Sequence, residues 1–288
     1  MAEWASTLRV TLAAGLAALL VACGGPPPPP PDLVIGASER PESVLLANVY
    51  AAALRFYGTP VRVEQFDDPL AALDSGSATI VAGLTGGWLQ RFAPGSGGRA
   101  DETVYRQMVG VLPEGIGAGD YTTAAEDKAA AAVTERTATA WGGRELTTAL
   151  RRCAELRPGA VRGAAVPAKV GRCAPPKPVE FADDAALFDA LRTGAINLAW
   201  TSTADPGVPA DIVLLADEKP ALIRAQNVVP LYRRNELGPQ QVVALNEVAG
   251  VLDTASLKQL RAEVAAGADP RLVADRWLAD NPIGATGH

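Results

Sequence analysis

LDSGSATIVAGLTGGWL, residues 73–89, and ALRTGAINLAWTSTAD, residues 190–205, decide the fold class because they share one pattern. In each segment a predicted helix ends at a glycine, Gly76 or Gly194, and a short apolar run then leads into Thr, Ser or Gly. A short apolar run bounded by turn residues is typical of a strand that is buried on both faces. Two copies of this pattern in distant parts of the chain predict two similar α/β lobes.

Strands and helices alternate on both sides of these segments, which is typical of parallel βαβ units. The predicted strands cover residues 33–36, 61–66, 78–82, 179–181, 196–200, 211–215 and 228–233. The predicted helices cover residues 41–57, 69–73, 183–192, 240–252, 256–266 and 269–279, with Thr254 and Asp269 as caps near the starts of the last two. Ligands of such sheets bind beyond the carboxyl ends of the strands, so residues 84–87 and 201–203 are candidate binding segments.

The N-terminal residues carry the features of an exported lipoprotein. Val10–Leu20 is an apolar run that is too short to span a membrane and suits the core of a signal peptide. It ends in Leu20-Val21-Ala22-Cys23, which resembles the lipobox of bacterial lipoproteins. We therefore expect residues 1–22 to be a signal peptide and Cys23 to be lipidated, with an ordinary secretory signal as the alternative. Residues 23–32 form a proline-rich spacer, and the predicted location is the extracytoplasmic face of the cell membrane.

Composition argues against nucleic-acid binding and against catalysis. The chain of 288 residues has a net charge of −6 and no run of Lys or Arg, so nothing suggests clustered phosphate contacts. The single His is His288, which leaves no His-based triad and no Cys/His cluster for zinc. The carboxylate pairs at residues 67–68 and 183–184 stand at helix starts, where they serve as caps. We therefore expect no enzyme, no catalytic residue, no metal and no cofactor; a two-carboxylate hydrolase is the enzymatic alternative, and no pattern favours it.

Cys153 and Cys173 remain as a pair once Cys23 is assigned to lipidation. In an oxidising compartment such a pair predicts a disulfide, worth about 3 kcal/mol for a closed loop of roughly 21 residues. Both residues lie in a polar stretch rich in Arg and Pro, unlike a core. Two buried thiols are the alternative.

Seven segments of the chain carry a resemblance to a known family. They are LVIGASERPES (33–43), the segment 73–89 quoted above, LPEGI (112–116), AEDKAAAAVT (125–134), the segment 190–205, DIVLLADEKPALIRAQNVVPLYRR (211–234) and ALNEVAGVLDTASLKQLRAEVAAGADPRLVADRWLADNP (244–282). In this order they resemble the substrate-binding lipoproteins of ABC transporters for glycine betaine, choline and related osmoprotectants, especially those of mycobacterial type. It implies a type II periplasmic-binding-protein fold, with a hinge and a ligand cleft between two lobes. Lobe 1 would be residues 33–118 plus 213–284, and lobe 2 residues 119–212. It also implies a monomer that binds a small zwitterionic or quaternary ammonium solute and meets an ABC permease in the membrane.

The resemblance also directs attention to particular side chains. In the family, aromatic residues cage the quaternary ammonium by cation–π attraction, and two expected cage tyrosines are replaced here by Leu84 and Ala129. The candidate ligand-binding residues are Ser38, Glu42, Thr85, Trp88, Asp127, Trp141, Arg144, Trp200, Ser202 and Thr203. Core packing is the alternative for the three Trp, turn or cap roles for the Thr and Ser residues after the strands, and a first-turn or surface charge for Glu42 and Arg144.

These sequence features are compatible with two functions. The first is capture of a small solute and its delivery to a permease. The second is a non-transport receptor or partner-binding lipoprotein that uses the same fold with an altered cleft, as the loss of two cage tyrosines suggests. A cleft filled by side chains such as Leu84 would favour the second.

Overall fold

The computed structural model describes residues 32–284. The predicted signal peptide, Cys23, most of the proline-rich spacer and His288 lie outside this range. Between residues 32 and 284, no helix is both long and apolar enough to cross a bilayer.

Ten strands form two sheets of five within the described residues. In chain order they are β1 (Leu33–Ala37), β2 (Val61–Gln65), β3 (Ile80–Leu84), β4 (Ile116–Ala118), β5 (Ala129–Thr134), β6 (Pro158–Val161), β7 (Val179–Phe181), β8 (Leu198–Ser202), β9 (Ile212–Leu214) and β10 (Val228–Arg233). The α-helices that connect and cover them are α1 (Pro41–Phe56), α2 (Pro69–Ser75), α3 (Thr85–Phe92), α4 (Asp101–Val109), α5 (Glu135–Trp141), α6 (Leu146–Leu150), α7 (Asp184–Thr193), α8 (Pro239–Val251), α9 (Thr254–Ala265) and α10 (Pro270–Asp280). A 3-10 turn, Cys153–Glu155, precedes β6.

The two sheets have the same topology. The first runs β2-β1-β3-β10-β4 and the second β7-β6-β8-β5-β9. In each, the first three strands are parallel, and the fourth is antiparallel to both of its neighbours. Helices α8 to α10 pack with α1 on the first sheet. The predicted pair of similar α/β lobes is therefore present. The chain crosses between them twice, through residues 119–128 after β4 (the outgoing crossing) and through residues 215–227 after β9 (the return crossing).

The return crossing begins after β9. Val213 and Leu214 pair with Val133 and Ala132 of β5, so the predicted start of the returning lobe at residue 213 falls inside a strand of the second sheet. The sheet hydrogen bonds, which sequence alone does not show, place this strand with the second lobe.

Both central strands begin later than predicted, for the same physical reason. Gly76 and Gly194 have left-handed backbone conformations, with φ of 82° and 79°, which only Gly adopts without strain. The next turn is still held by the preceding helix, because Ala78 N donates to Ala72 O and Ile196 N donates to Ala190 O. Regular pairing therefore starts two residues after the predicted positions of 78 and 196.

Side-chain caps mark several of the helix starts. Asp68 and Asp269 accept hydrogen bonds from backbone N–H groups of the first turns of α2 and α10, and a Pro follows each of them. The prediction of Thr254 as a cap is wrong. Asp253 is the cap of α9, since its carboxylate accepts from Ser256 N at 2.7 Å, and Thr254 is used elsewhere.

Apolar residues cover both faces of each sheet, because successive side chains of a strand point to opposite faces. In the first lobe, Ile35 and Ile80 pack under α1 and the C-terminal helices, whereas Val34 and Val81 face α3 and α4. The second lobe repeats this arrangement with two further clusters. Burial on both faces is what fixes the parallel strands as the centre of each lobe.

The second lobe contains the Cys153–Cys173 pair. The two sulfurs are 2.01 Å apart and the Cα atoms 5.6 Å apart, the geometry of a disulfide. Contrary to the expectation from its polar surroundings, Cys173 is buried in the core of this lobe, and Cys153 packs against the same core. The disulfide ties a segment that is poor in regular structure to the apolar cluster under the sheet.

Candidate functional site

A cleft of about 1440 Å³ lies between the two lobes, and both contribute to its walls. The first lobe supplies the start of α1, the start of α2 and the β3–α3 junction, and the second supplies the end of β8, the start of α7 and residues 164–169. The cleft thus lies beyond the carboxyl ends of β1, β3 and β8, where ligands of parallel α/β sheets bind.

Six of the predicted ligand-binding residues line this cleft: Ser38, Glu42, Trp88, Asp127, Trp200 and Ser202. Leu84 and Ala129 line it as well. The two positions where the resemblance implied cage tyrosines therefore face the cleft, and both carry aliphatic side chains.

Among the described residues, Trp88 and Trp200 are the aromatic side chains that line the cleft. Trp200 is only 1% exposed and belongs to the core of the second lobe, so its indole face is occupied by packing. Trp88 is partly buried and lies over Gly83, where an added Cβ would come within 2.5 Å of the ring. Close approach of the indole to the backbone thus requires Gly at position 83. Two separated indoles, one of them in the core, do not form an aromatic cage.

Thr85 does not line the cleft, contrary to the sequence prediction. It is fully buried, and its hydroxyl oxygen accepts a hydrogen bond from Asn227 N at 3.1 Å. The Asn227 side chain in turn donates from Nδ2 to Thr122 O at 2.9 Å. The Thr122 hydroxyl donates to Ala125 O of the outgoing crossing and to Val228 O at the start of β10. Thr85 therefore ties the first lobe to the two segments that connect the lobes.

Thr203 was also predicted to bind the ligand and also has another role. Its hydroxyl donates to Glu126 O at 2.9 Å and accepts from Lys128 N at 3.1 Å. Thr254, the residue wrongly predicted as a cap, holds the same segment from the first lobe, because its hydroxyl accepts from Glu126 N at 3.0 Å and donates to Ala124 O. Threonines of both lobes thus fix the outgoing crossing through its backbone.

The two crossings also bond each other. Glu126 and Asn227 form an antiparallel bridge, and Asp127 N donates to Gln226 O at 2.9 Å. The outgoing and returning segments therefore form a short two-stranded ribbon at the base of the cleft.

Trp141 and Arg144 are not among the residues that line the cleft. Trp141 ends α5 and packs against the apolar core of the second lobe. Arg144 is exposed and pairs with Glu135 at 2.6 Å. Packing and a surface ion pair account for these two side chains.

An ion pair that the sequence did not predict lies at the cleft. Arg261 of α9 contacts Asp127 of the outgoing crossing, with Nη1 2.7 Å from Oδ2. The Asp127 side chain is 8% exposed and that of Arg261 is 21% exposed, so both charges are largely removed from water. Removing one partner of such a pair leaves a buried, uncompensated charge.

Glu42, in the first turn of α1, faces this ion pair. Burial raises the pKa of the Glu42 carboxyl, and the negative charge of Asp127 and a hydrogen bond with it raise the pKa further. Arg261 and Arg40 act in the opposite direction but do not reverse the shift. The Glu42 carboxyl thus holds a proton more tightly than an exposed Glu does.

The second lobe adds Asp184 and Asp205 to the same region of the cleft. Burial raises the pKa of Asp184, the charges of Asp205 and Asp183 raise it further, and Arg261 lowers it. Asp205 accepts from the Thr201 hydroxyl and from Gly207 N. Asp183 is the cap of α7, as predicted, but Asp184 has the additional position in the cleft that the capping interpretation missed.

The cleft as a whole carries charges of both signs. Its carboxyl side chains are those of Glu42, Asp67, Asp68, Asp127, Asp184 and Asp205, and its basic side chains are those of Arg40, Arg91, Arg99, Lys169, Arg224 and Arg261. Arg224 is held on the first lobe by Gly98 O and by Gln90 Oε1 at 2.8 Å. Within residues 32–284 no three His, Cys, Asp or Glu side chains come together in a way that would hold a metal ion.

These features define a class of protein. Two α/β lobes of like topology, joined by two crossings and separated by a cleft at their strand ends, constitute the type II periplasmic-binding-protein fold. The predicted fold class is thereby confirmed, and comparison with solved structures agrees with it.

Apo YehZ from Escherichia coli has a TM-score of 0.69 at 21% sequence identity, over 87% of this chain and 99% of that one. A structure described as a glycine betaine/carnitine/choline ABC transporter has a TM-score of 0.70 at 18% identity, over 86% of this chain and 98% of that one. A choline binding protein in complex with choline has a TM-score of 0.54 at 14% identity, over 87% and 89% of the two chains. At these identities the likeness is one of fold.

The sequence itself matches one family in part. Residues 179–280 match OpuAC, described as the substrate binding domain of an ABC-type glycine betaine transport system. This stretch runs from β7 to α10 and contains Asp184, Trp200, Asp205 and Arg261 of the cleft. Comparison with curated protein sequences finds no significant match.

Proposed function

We propose that this protein is the solute-binding component of an ABC uptake system and delivers a small zwitterionic or cationic solute to a membrane permease. The observation that carries the proposal is the cleft itself. It is bounded by two lobes that the chain connects through the paired crossings, and it has buried charged groups beside its walls. Closing two such lobes around a solute removes the solute from water on all sides.

The likeness in fold to a glycine betaine/carnitine/choline transporter component and the partial OpuAC match support the transport role. The charges of both signs in the cleft suit a zwitterion, whose opposite ends need opposite partners. The alternative, a receptor with an altered cleft, would be favoured by side chains that fill the space between the lobes. A cleft of about 1440 Å³ that remains beside Leu84 and Ala129 favours solute capture instead.

The proposal includes lipid anchoring at Cys23, on the extracytoplasmic face of the cell membrane, and a monomeric protein. Anchoring keeps the binding domain close to its permease, because the effective concentration of a tethered partner is set by the length of the tether. Replacing Cys23→Ala should move the protein from the detergent phase to the aqueous phase in a phase-partition experiment and should abolish labelling by palmitate. Unchanged partition of the variant would contradict anchoring without affecting the binding function.

Binding is tested by thermal unfolding and calorimetry of the purified full-length protein. The panel contains glycine betaine, choline, carnitine, proline betaine and ectoine, together with unmethylated amines and amino acids of similar size. A ligand at 100 times its Kd stabilises the folded state by about 2.7 kcal/mol. Failure of every compound to raise the melting temperature at millimolar concentration would contradict solute capture of this class.

A further inference from the structure

Asp127 has a hydrogen-bonding capacity that the protein does not use. Its Oδ2 atom accepts a hydrogen bond from Arg261, but its buried Oδ1 atom has no donor among the described residues while Glu42 is ionised; only a protonated Glu42 can donate to Asp127. The side chain is more than nine-tenths buried and lines the cleft. A buried carboxylate oxygen without a donor is costly, so a donor brought by a ligand would be bound with a gain.

The surroundings of Asp127 require positive charge. Glu42 approaches it from α1, Asp184 and Asp205 line the same cleft from the second lobe, and Arg261 is the cation that acts on Glu42, Asp127 and Asp184 together. Arg40 adds a weaker effect on Glu42. With Glu42 ionised, four carboxylates (Glu42, Asp127, Asp184 and Asp205) lie with two guanidiniums (Arg261 and Arg40). The groups do not converge as metal ligands within the described residues, so an organic cation is the occupant that fits.

The choice between a quaternary ammonium and an ammonium with N–H groups follows from the cleft walls. A trimethylammonium group has no donor and is held by aromatic faces. Of the two indoles in the described cleft walls, Trp200 is in the core, which leaves Trp88 alone, and the neighbouring Leu84 and Ala129 are aliphatic. A protonated amine offers N–H donors that reach carboxylate oxygens with charge-assisted hydrogen bonds.

We infer that the solute carries a protonated amine or guanidinium with N–H bonds, and that this group binds at Asp127 between Glu42 and Asp184. The inference rests on the proposed function, because it names the class of solute for the same cleft. It assigns the carboxylates as the cation subsite and Asp127 Oδ1 as the acceptor that distinguishes an N–H cation from its N-methylated analogue.

The experiment compares pairs that differ only in N-methylation: glycine with glycine betaine, ethanolamine with choline, and 4-aminobutyrate with its N-trimethyl derivative. Leaving a buried acceptor without its donor costs an amount that corresponds to about 5- to 150-fold in affinity. We expect the N–H member of any pair that binds to bind at least about fivefold more tightly, as measured by calorimetry on the full-length protein.

Two variants test the assigned atoms. Glu42→Gln places an amide donor beside Asp127 and should remove the preference for the N–H member, and Asp127→Asn should do the same by removing the acceptor's charge. Glu114→Gln is the matched control, since Glu114 is exposed and lies outside the cleft, and it should leave the preference unchanged. Circular dichroism and the melting temperature show whether Asp127→Asn remains folded; Glu42→Gln keeps the Asp127–Arg261 ion pair intact.

A proton on Glu42 competes with the ligand cation. The groups that face Glu42 are Asp127, Arg261 and Arg40, and those that face Asp184 are Asp205, Asp183 and Arg261. Because the Glu42 pKa is raised, the affinity of the wild-type protein for the amine should increase with pH through that range, and the Glu42→Gln variant should lose most of this dependence.

The outcomes separate the two proposals. Equal or tighter binding of the trimethyl member would overturn the inference about N–H donors and leave solute capture intact. An unchanged N–H preference in both variants would overturn the assignment to Asp127 and Glu42. Absence of binding by either member of every pair, and by the wider panel, would overturn solute capture and this inference with it.

Discussion

Replacing Thr85→Val isolates one hydrogen bond at the point where the two lobes join. The Thr85 hydroxyl accepts from Asn227 N, and the two residues are 0% and 2% exposed. Valine has nearly the same shape but no acceptor, so the Asn227 N–H is left without a partner where water does not reach. A buried donor that loses its acceptor costs about 1–3 kcal/mol, and we expect a loss of about 2 kcal/mol in the free energy of unfolding.

Thermal or urea unfolding of the full-length protein measures this loss. One kcal/mol corresponds to about 2–4 °C in the melting temperature of a chain of this size, so the variant should melt about 4–8 °C lower. Thr139→Val is the matched control, since Thr139 is exposed on α5, and its effect should stay within about 0.5 kcal/mol.

The result also decides between the two roles considered for Thr85. A bond that holds the crossing predicts lower stability with little change in the intrinsic affinity for solute. A stability change below about 0.5 kcal/mol would refute the hydrogen-bond argument. Weaker solute binding at unchanged stability would instead support a direct ligand contact, as the sequence suggested.

Three further perturbations test other parts of the structure. Reducing the Cys153–Cys173 disulfide should lower the stability by about 3 kcal/mol, seen as a melting temperature about 6–12 °C lower in reductant; a melting temperature insensitive to reductant would contradict this. Gly86→Ala places a Cβ 2.5 Å from a backbone carbonyl oxygen and should cost about 1–3 kcal/mol in urea unfolding, whereas Gly97→Ala, with nothing within 4 Å, should be nearly neutral. The raised pKa of Glu42 means that its stabilising contribution is complete below the usual value of 4.5 and is lost as pH rises through the folded-state pKa. The melting temperature of Glu42→Gln relative to wild type should therefore increase with pH across this interval, and a decrease would count against a raised pKa for Glu42.

Local chemistry made much of the fold predictable. Asp68-Pro69 and Asp269-Pro270 mark helix starts through a side-chain cap and a first-turn proline, and both act locally in the structure. The runs at β1 and β10 are rich in Val, Leu and Ile and are buried as expected.

Among the strands that the sequence did not predict, β5 and β6 have compositions that contradict their structure. β5 contains four successive alanines, which favour helices, yet it lies between β8 and β9 and is buried by the helices of the second lobe. β6 begins with Pro-Gly, which is typical of a turn. In both cases the neighbouring strands, and not the residues themselves, impose the extended conformation.

The candidate site likewise contains some residues that sequence rules predict and others that they miss. Glu42 and Ser202 follow from the rule that ligands bind at helix starts and strand ends, and both line the cleft. Arg261 gives no such signal, since it is one polar residue on an amphipathic helix that reaches Asp127 across 134 positions of the chain. The same rule predicted Thr85 and Thr203 as ligand-binding residues, although both form hydrogen bonds with the crossings. Residues with this structural role lie at the same strand ends as residues that line the cleft, so the rule does not separate them.

The strand order has a consequence for how the chain reaches this structure. β10 lies between β3 and β4, but it follows the whole second lobe in the sequence. Until β10 is available, β3 has an unpaired edge and β4 has no neighbour in its sheet. The five strands of the other sheet come from one continuous stretch, 129–214. During synthesis from the N-terminus, the second lobe can therefore complete its backbone pairing before the first lobe does. The first sheet remains incomplete until β10 has been synthesised.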